Sequence, residues 1–239
     1  MLSGVYIAHR GLHDILPNTP ENSLAAFRTA SDKGLTIEID IHLTKDGRVV
    51  VFHDSNIRRM CGIDGIIEKM TLDELKKYTL AGTEERIPTL EECLAAVSGK
   101  VPLLIEFKCT KGSGAPLCVA ADKILSEYQG KYIVQSFYPP ILLWYRRNRR
   151  YICRGQLSSP FRGEPFVKKM LSCLLFNFMS RPDFISYEFT GANSFCRKLC
   201  VKLGAFSVGW TFRRQSDVDN LRKEFDTYIF ENFLPSEIR

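Results

Sequence analysis

From Leu35 to Asp54 the chain reads LTIEIDIHLTKDGRVVVFHD. The odd positions Leu35, Ile37, Ile39, Ile41 and Leu43 are apolar, and the even positions Thr36, Glu38, Asp40, His42 and Thr44 are polar. Side chains two apart share one face of a strand, so this alternation predicts a strand with an apolar and a polar face. A half-exposed surface strand would alternate in the same way, but its polar face would not need two acids followed by an imidazole. Asp46-Gly47, between two strand-like runs, predicts a hairpin turn. Arg48 to Phe52 is then a second strand that runs into His53-Asp54. A two-residue Asp46-Gly47 loop sets Asp40 opposite His53, and a four-residue loop from Thr44 to Gly47 sets Glu38 opposite His53. A three-residue loop would slip the pairing by one and break this arrangement. Either of the first two registers puts an imidazole beside two carboxylates. Such carboxylates can hold a hard cation through oxygen, and the His can move a proton near neutral pH.

The remaining pattern is strand alternating with helix. Val5 to Ala8 is a short apolar strand that ends in His9-Arg10-Gly11. Thr19 to Ser23, followed by LAAFRTASDK, predicts an N-capped helix with Pro20 near its first turn and Leu24, Phe27 and Ala30 in the core. Ser55 to Arg86 is irregular, with a capping box at Thr71 to Glu74, and is expected to cover the mouth of the fold. Thr89 caps a further helix. In LLIEFK, Leu103, Ile105 and Phe107 face one way while Leu104, Glu106 and Lys108 face the other. Beyond it, strands are predicted at 132–137, 151–157, 183–188, 205–211 and 227–230, with helices between them. This order implies a parallel sheet of about eight strands. The fold class is an irregular TIM (β/α)8 barrel, with a hairpin and a small insertion after the second strand. Residues 1–239 are expected to form a single domain, with the insertion at about 55–86. Neither GxGxxG nor GxxxxGK[ST] occurs, so the nucleotide-binding open sheets lose support.

Composition changes this picture little. The 239 residues are 45% hydrophobic and 25% charged, as in an ordinary globular protein. The net charge of +6 suits an anionic substrate, an acidic membrane surface or nucleic acid, without choosing among them. Eight cysteines occur without a CxxC pair, so a cysteine zinc site is not expected. With no secretory pattern at the start, the expected location is cytoplasmic and the thiols reduced. No apolar run reaches the ~20 residues of a membrane span. The basic run Trp144 to Arg154 is read as a solvated helix end rather than a nucleic-acid or lipid contact. Phe166 to Met179 is read as a buried helix rather than a membrane-dipping one.

The motifs HRG at His9 to Gly11, PENS at Pro20 to Ser23, EIDIHLTKDGRVVVFHD at Glu38 to Asp54, IPTLEECL at Ile87 to Leu94 and LLIEFK at Leu103 to Lys108 resemble those of the glycerophosphodiester phosphodiesterase family. The likeness covers nearly the whole chain and is strongest from Ile7 to Lys108. It implies a distorted TIM barrel with a divalent metal, Ca²⁺ or Mg²⁺, that hydrolyses glycerophosphodiesters to glycerol 3-phosphate and an alcohol. By that resemblance Glu38, Asp40 and Glu106 bind the metal, and His9 and His53 are the acid–base pair. Arg10 and Lys108 contact the phosphate, Glu21 supports the site and Trp210 packs against the glycerol. His9 as base and His53 as acid is the favoured order. The nucleophile is left open between a neighbouring substrate hydroxyl and water. DTYIFEN at Asp226 to Asn232 departs from the family in lacking a Gly and a terminal Asp. His42 is at most a supporting residue.

The expected partner is a small-molecule phosphodiester, with no nucleic acid and no transmembrane segment; peripheral membrane contact stays open. Two rivals remain. One is the same barrel acting on lysophospholipid or inositol lipid, in the manner of a lysophospholipase D. The other is a non-catalytic binder of anionic surfaces.

Overall fold

A computed structural model describes residues 5–109, 114–160 and 174–238. The chain divides into two compact units, Ala8–Tyr132 and Met1–Ile7 with Ile133–Arg239. The fold class is a parallel eight-stranded α/β barrel with one additional strand.

In the unit Ala8–Tyr132 the strand order is β4 (Leu103–Phe107), β2 (Thr36–Leu43), β3 (Val49–Val51). β2 and β4 are parallel, and their register sets Asp40 beside Glu106 and Ile39 beside Ile105. Neighbouring residues of a parallel pair point the same way, so two acids from separate strands share one face. Both faces of β2 are buried. Ile37, Ile39 and Ile41 are fully covered, and so, to within 1%, are Glu38, Asp40 and His42. The polar row is therefore an interior surface and not a solvent-facing one. Helix α1 (Leu24–Asp32) is capped by Ser23, whose hydroxyl accepts from Ala26 N at 3.1 Å. The helix at Leu90–Val97 carries the capping box of Thr89 and Glu92.

The hairpin differs from both expected registers. Ile41 pairs with Val51 and His42 with Val50. Thr44 N donates to Arg48 O at 2.8 Å, which closes a three-residue loop at Lys45-Asp46-Gly47. Gly47 has φ +76°, the left-handed conformation that completes a type I turn with a bulge. The extra residue slips the ladder by one. The slip does not carry His53 away, because the regular strand ends at Val51. After a last bond from Phe52 N to Asp40 O at 2.9 Å, the chain bends at His53.

The insertion holds three short helical turns, Arg58–Cys61, Ile67–Lys69 and Leu72–Leu75. It is built on a cluster of its own, in which Ile57, Ile67, Leu75, Leu80 and Ile87 pack with Val50 and Phe52. Apolar burial, and not regular structure, holds this segment against the hairpin.

In the second unit the order is β1 (Tyr6–Ala8), β9 (Thr227–Phe230), β8 (Phe206–Phe212), β7 (Phe184–Glu188), β6 (Arg154–Ser158), β5 (Tyr132–Ser136). The pairings from β5 to β9 are all parallel. Most of the expected helix from Phe166 to Met179 lies outside the described residues. Its described end is a single turn, Asn177–Ser180, and this end is not buried as expected: Phe178 is 73% exposed and Met179 42%. Among the described residues no helix is long and apolar enough to cross a membrane.

Gly11 offers a direct test of how tightly the loop after β1 is held. Its φ is +82°, and an added Cβ would meet Ala26 Cβ at 2.9 Å and the Ala26 backbone carbon at 3.0 Å. Leu12 N also donates to Ala26 O at 3.1 Å. Gly11→Ala is expected to cost about 1–3 kcal/mol, from strain and overpacking against α1. Urea unfolding would read it as a lower midpoint at an unchanged slope.

Candidate active site

The acidic centre comes from β2 and β4. One carboxylate oxygen from each of Glu38, Asp40 and Glu106 lies within 4.8 Å of the other two, and all three residues are buried. Glu38 Oε1 is buried and has no hydrogen-bond donor. Lys108 stands over the other two acids as a countercharge, with Nζ 3.0 Å from Asp40 Oδ1 and 2.6 Å from Glu106 Oε1. Burial pushes the Glu38 carboxyl well above the usual range, and the charges of Asp40 and Glu106 add to that. Burial acts on Asp40 in the same direction. There, Lys108, His53, Arg10 and His9 outweigh it and hold the carboxyl far below the usual range. Burial likewise disfavours the Lys108 ammonium, but Asp40 and Glu106 win and raise its pKa.

The loop after β1 closes one side of this centre. His9 Nε2 lies 4.0 Å from Glu38 Oε2. Arg10 has φ +53°, a conformation unusual for a side-chain-bearing residue. That turn points its backbone N–H at Glu38 Oε2, 3.0 Å away. The Arg10 guanidinium donates to Glu21 Oε1 at 2.8 Å, and its Nε lies 3.5 Å from Asp40 Oδ2.

Asn22 has a place the sequence reading did not give it. Its side-chain amide donates to Asp40 Oδ2 at 2.9 Å, and its backbone N–H donates to Arg10 O at 2.9 Å. It sits at φ +55°, which Asn tolerates better than most residues. An Asn immediately before a helix-capping Ser was the available signal.

His53 is reached from the hairpin side. Its Nδ1 lies 2.7 Å from Asp54 Oδ1. Asp54 accepts in turn from Arg59 Nε at 2.7 Å, and Arg59 forks onto Glu21 at 2.6 and 2.9 Å. The hydrogen bond to His53, against the opposing effect of burial and with help from Arg59, keeps the Asp54 carboxyl below its ordinary range. A continuous chain thus runs His53, Asp54, Arg59, Glu21, Arg10. With Nδ1 engaged, the other ring nitrogen of His53 is the one left to exchange a proton with a ligand. His42 supports the same segment: Nε2 lies 3.2 Å from His53 O, and Nδ1 lies 3.0 Å from Glu68 Oε1 in the insertion. Asp54, Arg59 and Glu68 were also not singled out from the sequence. The insertion's own fold brings Arg59 and Glu68 in, so no local spacing announces them.

Trp210 lies on β8 of the second unit. There it meets Phe137 edge to face, with centroids 5.8 Å apart, and its indole N–H has no acceptor. At the end of the divergent last strand, Glu231 accepts from Arg213 Nε at 2.7 Å. Among the described residues seven cysteines are free thiols.

Chemically, this is an oxygen-rich pocket for a hard cation, flanked by two imidazoles and two fixed cationic side chains. Comparison with known proteins points the same way. The profile of the glycerophosphoryl diester phosphodiesterase family matches residues 9–159. The glycerophosphodiester phosphodiesterase of Caldanaerobacter subterraneus is 32% identical over 236 residues, which is 91% of this chain and 89% of that one. The human glycerophosphodiester phosphodiesterase 1 is 32% identical over 65% of this chain and 49% of its own length. Among solved structures, an Oleispira antarctica phosphodiesterase in complex with the product sn-glycerol-3-phosphate has a TM-score of 0.81 and 25% identity, covering 99% of this chain and 95% of that one. The Thermotoga maritima glycerophosphodiester phosphodiesterase has a TM-score of 0.74 at 25% identity, covering 95% and 93%. With a profile match over more than half its length and relatives of this identity and coverage, this chain belongs to the glycerophosphoryl diester phosphodiesterase family and is a phosphodiesterase.

Proposed function

We propose that this protein hydrolyses glycerophosphodiesters to glycerol 3-phosphate and an alcohol, using a divalent cation, Ca²⁺ or Mg²⁺, held by Glu38, Asp40 and Glu106. The observation that carries the reading is the convergence of three buried carboxylates, two of them served by the one ammonium of Lys108 and the third, Glu38, with its Oε1 left without a donor. Buried charge without a partner is costly, and a hard cation with oxygen ligands meets that need. Charge balance supports the same view. The three carboxylates face Lys108 and an Arg10 that is shared with Glu21, so negative charge is in surplus at the centre.

When bound, the cation supplies positive charge for the phosphoryl oxygens and makes the attacking hydroxyl more acidic. The side chains do the rest. Arg10 and Lys108 orient the phosphate through charge-assisted hydrogen bonds. His9, beside Glu38, takes the proton of the nucleophile. His53, with Nδ1 held by Asp54, gives a proton to the departing alkoxide from its other nitrogen. Glu21 holds Arg10 and Arg59 in place.

The test is glycerol 3-phosphate release from glycerophosphocholine by protein stripped with a chelator. Release is expected to fall to background and to return with added Ca²⁺ or Mg²⁺. Full activity in excess chelator would sink the metal assignment. Lysophosphatidylcholine micelles, offered in parallel, separate a water-soluble diester from a lipid as the preferred substrate.

A further inference from the structure

The hydrolytic site leaves one feature of the second unit unused. The end of the helix Pro139–Asn148 and the following turn carry Arg146, Arg147, Arg149 and Arg150. The turn of helix at Asn177–Ser180 ends on Arg181, whose φ is +44°. Two arginines join these elements. The Arg146 guanidinium donates to Met179 O. Arg154, 7% exposed, donates to Ser180 O at 3.3 Å and to Arg181 O at 2.7 Å. The last carbonyls of the short helix are thereby satisfied, and cations at its C-terminus complement its dipole. The outer face of that helix is therefore fixed in place, not frayed.

What it presents outward is apolar. Leu175 is 52% exposed, Phe178 73% and Met179 42%, with Tyr151 at 81% in the neighbouring turn. Arg147, Arg150 and Arg181 are exposed around them. The adjacent carboxylate, Asp183, is taken up by Arg154, through its backbone N–H at 2.9 Å and its guanidinium at 3.4 Å. The arginines act on one another: the pKa of Arg146 is lowered by desolvation first, and then by Arg181, Arg154, Arg150 and Arg147. A surface that keeps its cations mutually repelling around exposed aliphatic and aromatic side chains has complementary chemistry in an anionic membrane interface. Headgroup phosphates meet the arginines there, and the acyl boundary takes the apolar tips. Nucleic acid fits less well. Of the three aromatics in the basic run, Tyr145 is fully buried and Trp144 partly so, which leaves Tyr151 as the single exposed ring there to stack on a base.

We infer that the face formed by Arg146 to Tyr151 and Leu175 to Arg181 docks this protein on anionic lipid bilayers. The residues precede β6 and β7, at the ends of those strands opposite to Ser158 and Glu188. The docking does not depend on the hydrolytic reading, because it is read as binding.

The experiment is cosedimentation of the full chain with phosphatidylglycerol or phosphatidylcholine vesicles at low salt. Binding is expected to the first and not to the second. The double variant Arg147→Gln, Arg150→Gln is expected to partition about twenty-five-fold less, from about fivefold for each arginine. Phe178→Ser is expected to bind about tenfold less. Glycerophosphocholine hydrolysis and far-UV circular dichroism serve as controls, and both variants are expected to match the parent in them. Equal binding to both vesicle types would overturn the inference, as would variants that bind phosphatidylglycerol like the parent. Displacement by duplex DNA, with Phe178→Ser without effect, would mark a nucleic-acid surface instead.

Discussion

His53→Ala is expected to lower kcat for glycerophosphocholine by about 10²–10⁴-fold while leaving the fold intact. The ring lies just past the end of β3, and its side chain is 32% exposed. It fills no part of the apolar core, so truncation opens no cavity of consequence. What is lost is an imidazole whose Nδ1 is fixed by Asp54 at 2.7 Å, with Asp54 itself fixed by Arg59. His9→Ala is expected to fall by a similar factor on the same substrate. A substrate with a nitrophenolate leaving group separates the two roles. That group departs without protonation, so His53→Ala should recover most of its activity while His9→Ala should not. The reverse recovery would exchange the two assignments. Near-parental activity of both variants on glycerophosphocholine would remove the acid–base pair altogether. Arg59→Ala is expected to give a smaller loss, about ten- to a hundredfold in kcat, because it loosens His53 without deleting it. Its KM should change little, since Arg59 reaches Glu21 and Asp54 and none of the three carboxylates on β2 and β4.

The parts of this site that were legible in the sequence are those set by local periodicity. Glu38 and Asp40 stand two apart on a strand, and Glu106 heads the equivalent face of the next parallel strand, so alternation alone aligned them. The placement of His9 and His53 after short apolar runs was visible, whereas their reading as an acid–base pair rested on the family resemblance. The hairpin register was not legible. It turned on whether Gly47 adopts a positive φ and adds a third loop residue, and the sequence Lys-Asp-Gly allows both outcomes. His53 still reaches the acidic centre because the strand stops two residues before it, which period-two counting does not reveal. Asn22, Arg59 and Glu68 were silent for another reason. Asn22 acts through a left-handed backbone at the helix entry, and Arg59 and Glu68 act through the packing of the insertion on Val50 and Phe52. The outward face at Phe178 was misjudged because an apolar run without a polar face normally goes to the core. Here, arginine bonds to the carbonyls of Met179, Ser180 and Arg181 hold part of that run at the surface.

Glu38→Gln is expected to abolish turnover and, at the same time, to make the metal-free protein more stable. Glu38 is 1% exposed, its Oε1 has no donor, and Asp40 and Glu106 stand beside it. Without a cation, this arrangement buries a carboxylate among carboxylates. Glutamine keeps the size and keeps an oxygen for the Arg10 N–H, which Glu38 Oε2 now accepts at 3.0 Å. It removes the repulsion and leaves Lys108 to its two remaining partners. Burial and the two neighbouring acids already disfavour the ionised form of Glu38, so a neutral group of the same shape removes that cost and Tm should rise in excess chelator. Added Ca²⁺ or Mg²⁺ should reverse the ranking. In the parent, a cation at a hundred times its Kd adds about 2.7 kcal/mol; in the variant, the loss of one of three ligands should erase most of that gain. A thermal-shift titration with and without metal therefore reads the function of Glu38 independently of catalysis. If Glu38→Gln melts lower than the parent in chelator and still gains stability from metal, Glu38 is a structural acid held by Arg10, and the cation must be sought elsewhere. If it melts higher and no longer responds to metal, the protein maintains at this position a charge that weakens its empty fold, because the bound cation requires it.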